Sequence, residues 1–160
     1  MINKKKIIEN ILNQPLINQS TKIDKKKILA EKWFNKLRDK ICNDFTKIEY
    51  NFKINNNSTE KVSELKFPIF KQKKWIRDGG GGGVISIMKG NVFEKVGVNI
   101  STVYGKFSDK FKIHIPGAEK TGDFWASGIS VVAHMNNPYI PAAHMNTRFL
   151  VTGLGENRKF

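Results

Sequence analysis

The sequence has a single cysteine, four arginines and no long apolar run. With Cys42 alone there is no intrachain disulfide framework, and the thiol suits a reducing compartment. No window approaches 18 consecutive apolar residues, so nothing reads as a membrane span. Acidic residues number 14 against 28 basic ones, and the resulting formal charge of +14 invites a nucleic-acid reading. The scarcity of arginine argues against it. Lysine supplies 24 of the 28 basic residues (28 less the four arginines), scattered among Asn and Ile as in "KINNNSTEK" rather than gathered into an Arg-rich reading surface. No nucleic-acid partner is expected, whereas a polyanionic small molecule would gain from the same positive field. The opening stretch "MINKKKIIENILNQPLINQ" lacks a clean apolar segment with a small-residue cleavage site, and it has no Arg. The expected location is the cytoplasm.

What is present is enough for one domain. A chain of 160 residues with 39% hydrophobic content can bury a core, but is short for two. Residues 1–25 read as a loosely ordered polar arm, 26–152 as the domain, and 153–160 as a tail. Asp24 is a plausible helix N-cap. After it Leu29, Trp33, Leu37, Ile41, Phe45 and Ile48 recur every three or four residues between charged positions, the pattern of an amphipathic helix covering one face of something. "NFKINNNSTEKVSE" reads as a loop. After Lys74 the period changes to two, with two β-rich runs joined around Lys89-Gly90-Asn91 as a hairpin. A polar connector over 108–123 leads to two further strands, about 126–135 and 144–152, joined by "NNPYIPAA". Helix first and successive strands afterwards predict an α+β fold, with an antiparallel sheet flanked by helices. Four strands and one firm helix leave the second sheet face uncovered, as in an incomplete version of a larger sheet.

The chemistry sits at alternate positions of the last two strands. Ser130, Val132 and His134 share one face, and His144, Asn146 and Arg148 share a face of the next strand. If even positions oppose, one strip carries a hydroxyl, two imidazoles, an amide and a guanidinium. The odd positions, including Ile129, Val131, Ala133, Met145, Thr147 and Phe149, then form the core face. A strand histidine taken singly is more often a surface or satisfied core residue than a catalyst; two on one strip, beside an Arg and an Asn, bring the two readings level. Two imidazoles are too few for a closed metal site. Arg148 offers a planar fork for a carboxylate, of a ligand or of a neighbouring Asp or Glu. His114 lacks such company and reads as structural. The run in "WIRDGGGGGVIS" has neither the Lys-Ser/Thr ending of a phosphate loop nor the helix of a dinucleotide site, and reads as a flexible connector.

Several stretches together resemble the oxygen-dependent coproporphyrinogen III oxidase family: Trp-x-Arg before the glycine run, "GNVFEKVGVNIS", "GIS" four residues before His134, and "HMNTR". The resemblance runs from about Trp33 to Phe149. Beyond that strand the family continues through a Trp/Phe-Gly-rich segment that ends in Asp-Leu-Thr-Pro, where this chain has "LVTGLGENRKF". The expectation is therefore the N-terminal half of the enzyme, without the later histidines, substrate-contacting segments and dimer-forming region. Position by position, the resemblance implies a substrate contact at Ser130, a proton donor at His144 and a substrate-binding segment at Asn146, Thr147 and Arg148. It implies a divalent metal at His134 and His144, and a large antiparallel sheet. It further implies a homodimer, or assembly with a complementary C-terminal chain. The implied reaction is aerobic oxidative decarboxylation of two propionates of coproporphyrinogen III to vinyls, giving protoporphyrinogen IX. Molecular oxygen is the oxidant and no organic cofactor is implied. The alternative is a catalytically inactive remnant that binds porphyrinogen or assembles with a complementary half.

Overall fold

The computed structural model describes residues 19–56, 66–155 and 158–160. Helix α1 spans Gln19–Asn55, strand β1 Lys71–Ile76, β2 Gly81–Met88 and β3 Phe93–Lys106; a short helix α2, Asp109–Lys112, precedes β4 (Asp123–Met135) and β5 (Ala143–Thr152). The five strands form one antiparallel sheet in sequence order. The fold is thus α+β, as the change of period implied.

Helix α1 is longer than its apolar pattern. It begins before Asp24, which lies inside the helix and pairs with Lys27 at 3.5 Å and Arg158 at 3.0 Å instead of capping it. Its first residues therefore belong to the stretch expected as an arm; residues 1–18 of that stretch lie outside the described residues. Ile23 is buried, so packing extends the helix backwards. At the other end, residues 51–55, expected as loop, complete the last turns. On the outer surface Lys40 bonds Asp44 at 2.8 Å, an i,i+4 pair of the kind that supports a helix by a few tenths of a kcal/mol.

The face α1 turns inward carries Phe34 and Cys42, with Leu37, Ile41 and Phe45 beside them. They meet Val96, Val98 and Ile100 of β3 and Ile129, Val131 and Ala133 of β4. These strand residues are the odd-numbered apolar set of β4 and its register partners on β3. Each fully buried aliphatic contributes roughly 1.5–3 kcal/mol relative to exposure. Leu29, Trp33 and Ile48, at the margins of the expected stripe, are instead about half exposed.

Two features depart from the sequence pattern. "KQKKWI" is a fifth strand, at the sheet edge, where exposed lysines discourage pairing with other chains. The glycine run is a tight turn and the start of β2, not a flexible connector. The Gly80 N–H donates to the Arg77 carbonyl at 2.9 Å, and the Arg77 N–H to that of Gly81 at 3.0 Å. Gly81 has a φ of 83° and a Cβ there would overlap the Thr102 carbonyl, so both conformation and space demand glycine. The Arg77 guanidinium reaches across to the Tyr104 carbonyl at 2.9 Å and fastens the turn to β3.

The β2–β3 turn is held from the helix. Glu49, fully buried, accepts the backbone N–H groups of Asn91, Val92 and Phe93 at 2.8, 2.9 and 2.9 Å. Gly90 lies against that carboxylate, where a Cβ would clash. In the tail, Thr152 and Lys159 form a backbone bridge and the ammonium of Lys26 sits 3.8 Å from the Phe160 ring centre. On the face opposite α1 the connector after β3 covers only the Phe124–Thr152 end, where Phe107 stacks on Phe124 and the Thr152 hydroxyl donates to the Pro116 carbonyl at 2.6 Å; the Asn146 and Arg148 rows stay exposed.

Candidate active site

The register of the sheet assembles the site. Ser130 stands directly opposite Asn146 on β5 and opposite Asn99 on β3. One row to one side, Gly128 opposes Arg148 and Ser101; one row to the other, Val132 opposes His144 and Gly97. Directly opposed residues share a face, so Ser130, His144, Asn146 and Arg148 all project from the open face. The even positions do oppose, and the polar strip expected across the two strands is formed.

That face is low and broad because its middle is built from Gly83, Gly97, Ser101, Gly128 and Ser130. A Cβ at Gly128 would lie 2.6 Å from the Thr147 carbonyl and 3.4 Å from the Arg148 Cβ, so a side chain there would crowd the β5 backbone at the base of Arg148. At Gly83 it would lie 2.9 Å from the Trp75 ring, which the glycine lets lie flat on the sheet. A shallow cavity of about 110 Å³ is enclosed by Trp75, Asn99, Ser101, Ser130, Asn146 and Arg148.

Ser130 is half-buried, while His134, His144, Asn146 and Arg148 are exposed. Among the described residues their side chains make no hydrogen bond or ion pair. The contrast is with Arg77, which is committed to the Tyr104 carbonyl. Arg148 has no described Asp or Glu partner, so its fork remains available to a ligand carboxylate.

The remaining expected residues fall elsewhere on the sheet. Thr147 pairs with Ile129 and therefore points to the α1 face, away from its neighbours Asn146 and Arg148. His134 pairs with Lys95 beyond the last β4–β5 pair, two positions along from Val132. It is thus a diagonal neighbour of His144, at the roughly 7–8 Å typical of such pairs. Among the described residues no group of three or more His, Cys, Asp or Glu side chains is placed to hold a metal ion. The two imidazoles by themselves do not make up a donor set. His114, exposed after α2, is remote in chain and register from the strip.

Asn99, Ser101 and Trp75 join the site although no site role was expected of them. For Asn99 and Ser101 the signal was the alternation Gly97-Asn99-Ser101 inside "VGVNIS", which repeats the small-and-polar pattern of Gly128-Ser130.

A helix-backed antiparallel sheet with a shallow, Arg-bearing polar strip on its open face defines an α+β protein whose exposed guanidinium has the geometry to pair with a carboxylate. Residues 29–159 match the family described as coproporphyrinogen III oxidase, and the chain belongs to that family. The stretch from Trp33 to Phe149 lies inside the match. The chain is 52% identical over 128 residues to a protein of Rickettsia bellii named oxygen-dependent coproporphyrinogen-III oxidase, covering 80% of this chain and 43% of that one. A protein of Rickettsia felis with the same name is 52% identical over 131 residues, 82% of this chain and 44% of its own length. The chain thus spans less than half the length of the curated relatives it matches. No helix among the described residues is long and apolar enough to cross a membrane.

Proposed function

We propose that this chain forms one wall of an active site for the aerobic oxidative decarboxylation of coproporphyrinogen III. The observation that carries this reading is the register, which sets Ser130 against Asn146 with Arg148 one row away and His144 on the other side, all on one uncovered face. In each round a propionate becomes a vinyl group. One carbon leaves as carbon dioxide, and two electrons with their protons pass to molecular oxygen, giving hydrogen peroxide. Two rounds yield protoporphyrinogen IX. The residues of this chain bind and orient. Arg148 meets a propionate through paired N–H groups, a charge-assisted contact of roughly 1.5–3 kcal/mol. Asn146 and Ser130 add neutral hydrogen bonds beside it, and the glycine floor lets the macrocycle approach the backbone. His144 supplies a proton at the edge of the strip, a task suited to an imidazole near neutral pH. Thr147, facing α1, supports the segment from behind. No step is assigned to a metal at His134 and His144, since the pair lacks further donors.

The electron source is the reduced tetrapyrrole and the acceptor is oxygen, so the proposal calls for no organic cofactor. The setting is cytoplasmic, and the working unit is a homodimer or a pairing with a complementary C-terminal chain. A second reading is favoured by one observation, that His144, Asn146 and Arg148 are exposed and open to solvent rather than shut inside a pocket. On that reading the chain binds porphyrinogen, or assembles with its complement, without turning substrate over alone. An aerobic assay of protoporphyrinogen formation separates the two, run with this chain alone and again with the C-terminal half of a Rickettsia relative. Turnover restored only by the added half supports a split site. Turnover by neither, with porphyrin binding retained, supports the remnant.

A further inference from the structure

The open face does not end at the strip. Three rows cross all five strands: Lys71–Ile87–Gly97–Val132–His144, Lys73–Ile85–Asn99–Ser130–Asn146 and Trp75–Gly83–Ser101–Gly128–Arg148. Every row has a chemically active end on β5, and two of the three have a lysine at the β1 end. With strands about 4.8 Å apart, those lysines stand roughly 19 Å from the Arg148 side of the sheet. At the β1 end lies a second, larger cavity of about 730 Å³, in the size range of small-ligand pockets. Its floor is Ile85 and Ile87, Ile69 closes one side, and Lys71, Lys73 and Lys89 stand around it. By the same alternation that places Ser130 and Asn146, these side chains are on the open face. All three lysines are exposed, and among the described residues none is in an ion pair.

We propose that Lys71, Lys73 and Lys89 over the Ile85–Ile87 floor form a second carboxylate subsite, which takes the edge of the tetrapyrrole remote from Arg148. The inference rests on the porphyrinogen reading above and deepens it by assigning the other end of the ligand. An apolar floor rimmed by cations matches a hydrophobic ring edge whose side chains end in carboxylates. Such a ligand laid across the rows brings opposite charge to both ends of the sheet and pyrrole carbons over Gly97, Ser101 and Gly128 between them. The lysines are point charges on flexible stems, so this end holds the ligand without fixing its angle, whereas the Arg148 fork sets orientation.

The test uses the 160-residue chain and coproporphyrin III, the stable oxidised macrocycle with four carboxylates, followed by quenching of its fluorescence. Lys71→Gln/Lys73→Gln is compared with Lys32→Gln/Lys36→Gln, which removes the same charge from α1 on the other side of the sheet. A porphyrin with two carboxylates on one edge serves as the second ligand. The first pair of substitutions is expected to weaken the tetracarboxylate at least tenfold, while the dicarboxylate, held through Arg148, changes by less than about threefold. All four lysines are exposed, so folding is not at risk. Equal losses from both double variants would reduce the effect to general field and overturn the subsite. An unchanged affinity in Lys71→Gln/Lys73→Gln, with a loss in Arg148→Ala, would overturn the subsite and leave the porphyrinogen reading standing. If the unaltered chain binds neither porphyrin, both fall together.

Discussion

Ser130 on β4 faces Asn146 on β5 as a direct register pair on the sheet face that α1 leaves open. A hydroxyl and an amide opposed in this way, without described partners of their own, leave their donors and acceptors free on that surface. The rows on either side extend the pair to Arg148 and His144.

The guanidinium is expected to act through its shape. Arg148→Ala should weaken binding of a carboxylated porphyrin by roughly 1.5–3 kcal/mol, and Arg148→Lys should recover only part of it, because an ammonium cannot present two parallel donors. Fluorescence titration of both variants checks this. Small, equal effects would remove Arg148 from the site.

His144 and His114 should differ. With the C-terminal half of a relative supplied, His144→Ala is expected to lower turnover by about 10²-fold or more, the scale for losing a general acid, while His114→Ala leaves it nearly unchanged. Steady-state rates of the two variants settle the comparison. Comparable losses would show that the strip is not the reacting face.

Glu49 is expected to hold the β2–β3 turn against α1. Its carboxylate satisfies three N–H groups that would otherwise be stranded beside the helix. Glu49→Ala should cost about 3 kcal/mol or more, and Glu49→Gln distinctly less, since one acceptor oxygen remains. Urea denaturation of the three proteins gives the order. A Glu49→Ala midpoint equal to the parent's would rule out the clamp.

Cys42 sets an alkaline limit. Burial raises its thiol from 9.0 to about 11, opposed in part by the nearby Arg38 charge. The folded chain therefore keeps a proton that the unfolded chain releases between these values. The stability tied to it is fully present below pH 9.0 and is lost as pH rises through about 11. Denaturation midpoints of the parent should fall more steeply over this window than those of Cys42→Ala. Parallel curves would show that the thiol does not contribute.

Local chemistry decided much in advance. The 3.6 period of Leu37, Ile41 and Phe45 demands a helix with one apolar side, and the strict alternation of β4 separates Ile129 and Val131 from Ser130 whatever their neighbours. The polar identities of the strip were equally legible in "GISVVAH" and "AHMNTR". Register was not. A slip of one residue between β4 and β5 would exchange their faces, and the loop "NNPYIPAA" does not forbid it. What selects the pairing is the packing of α1 on Ile129 and Val131, which leaves Ser130 and Asn146 outward together. The glycine run became a turn because β1 pairs beyond it and Arg77 reaches Tyr104, contacts that composition does not contain. Glu49 reads in sequence as one more charge on a charged helix. It is buried because the chain 42 to 44 residues further on returns three N–H groups to it, and only that return offsets the cost of removing a carboxylate from water.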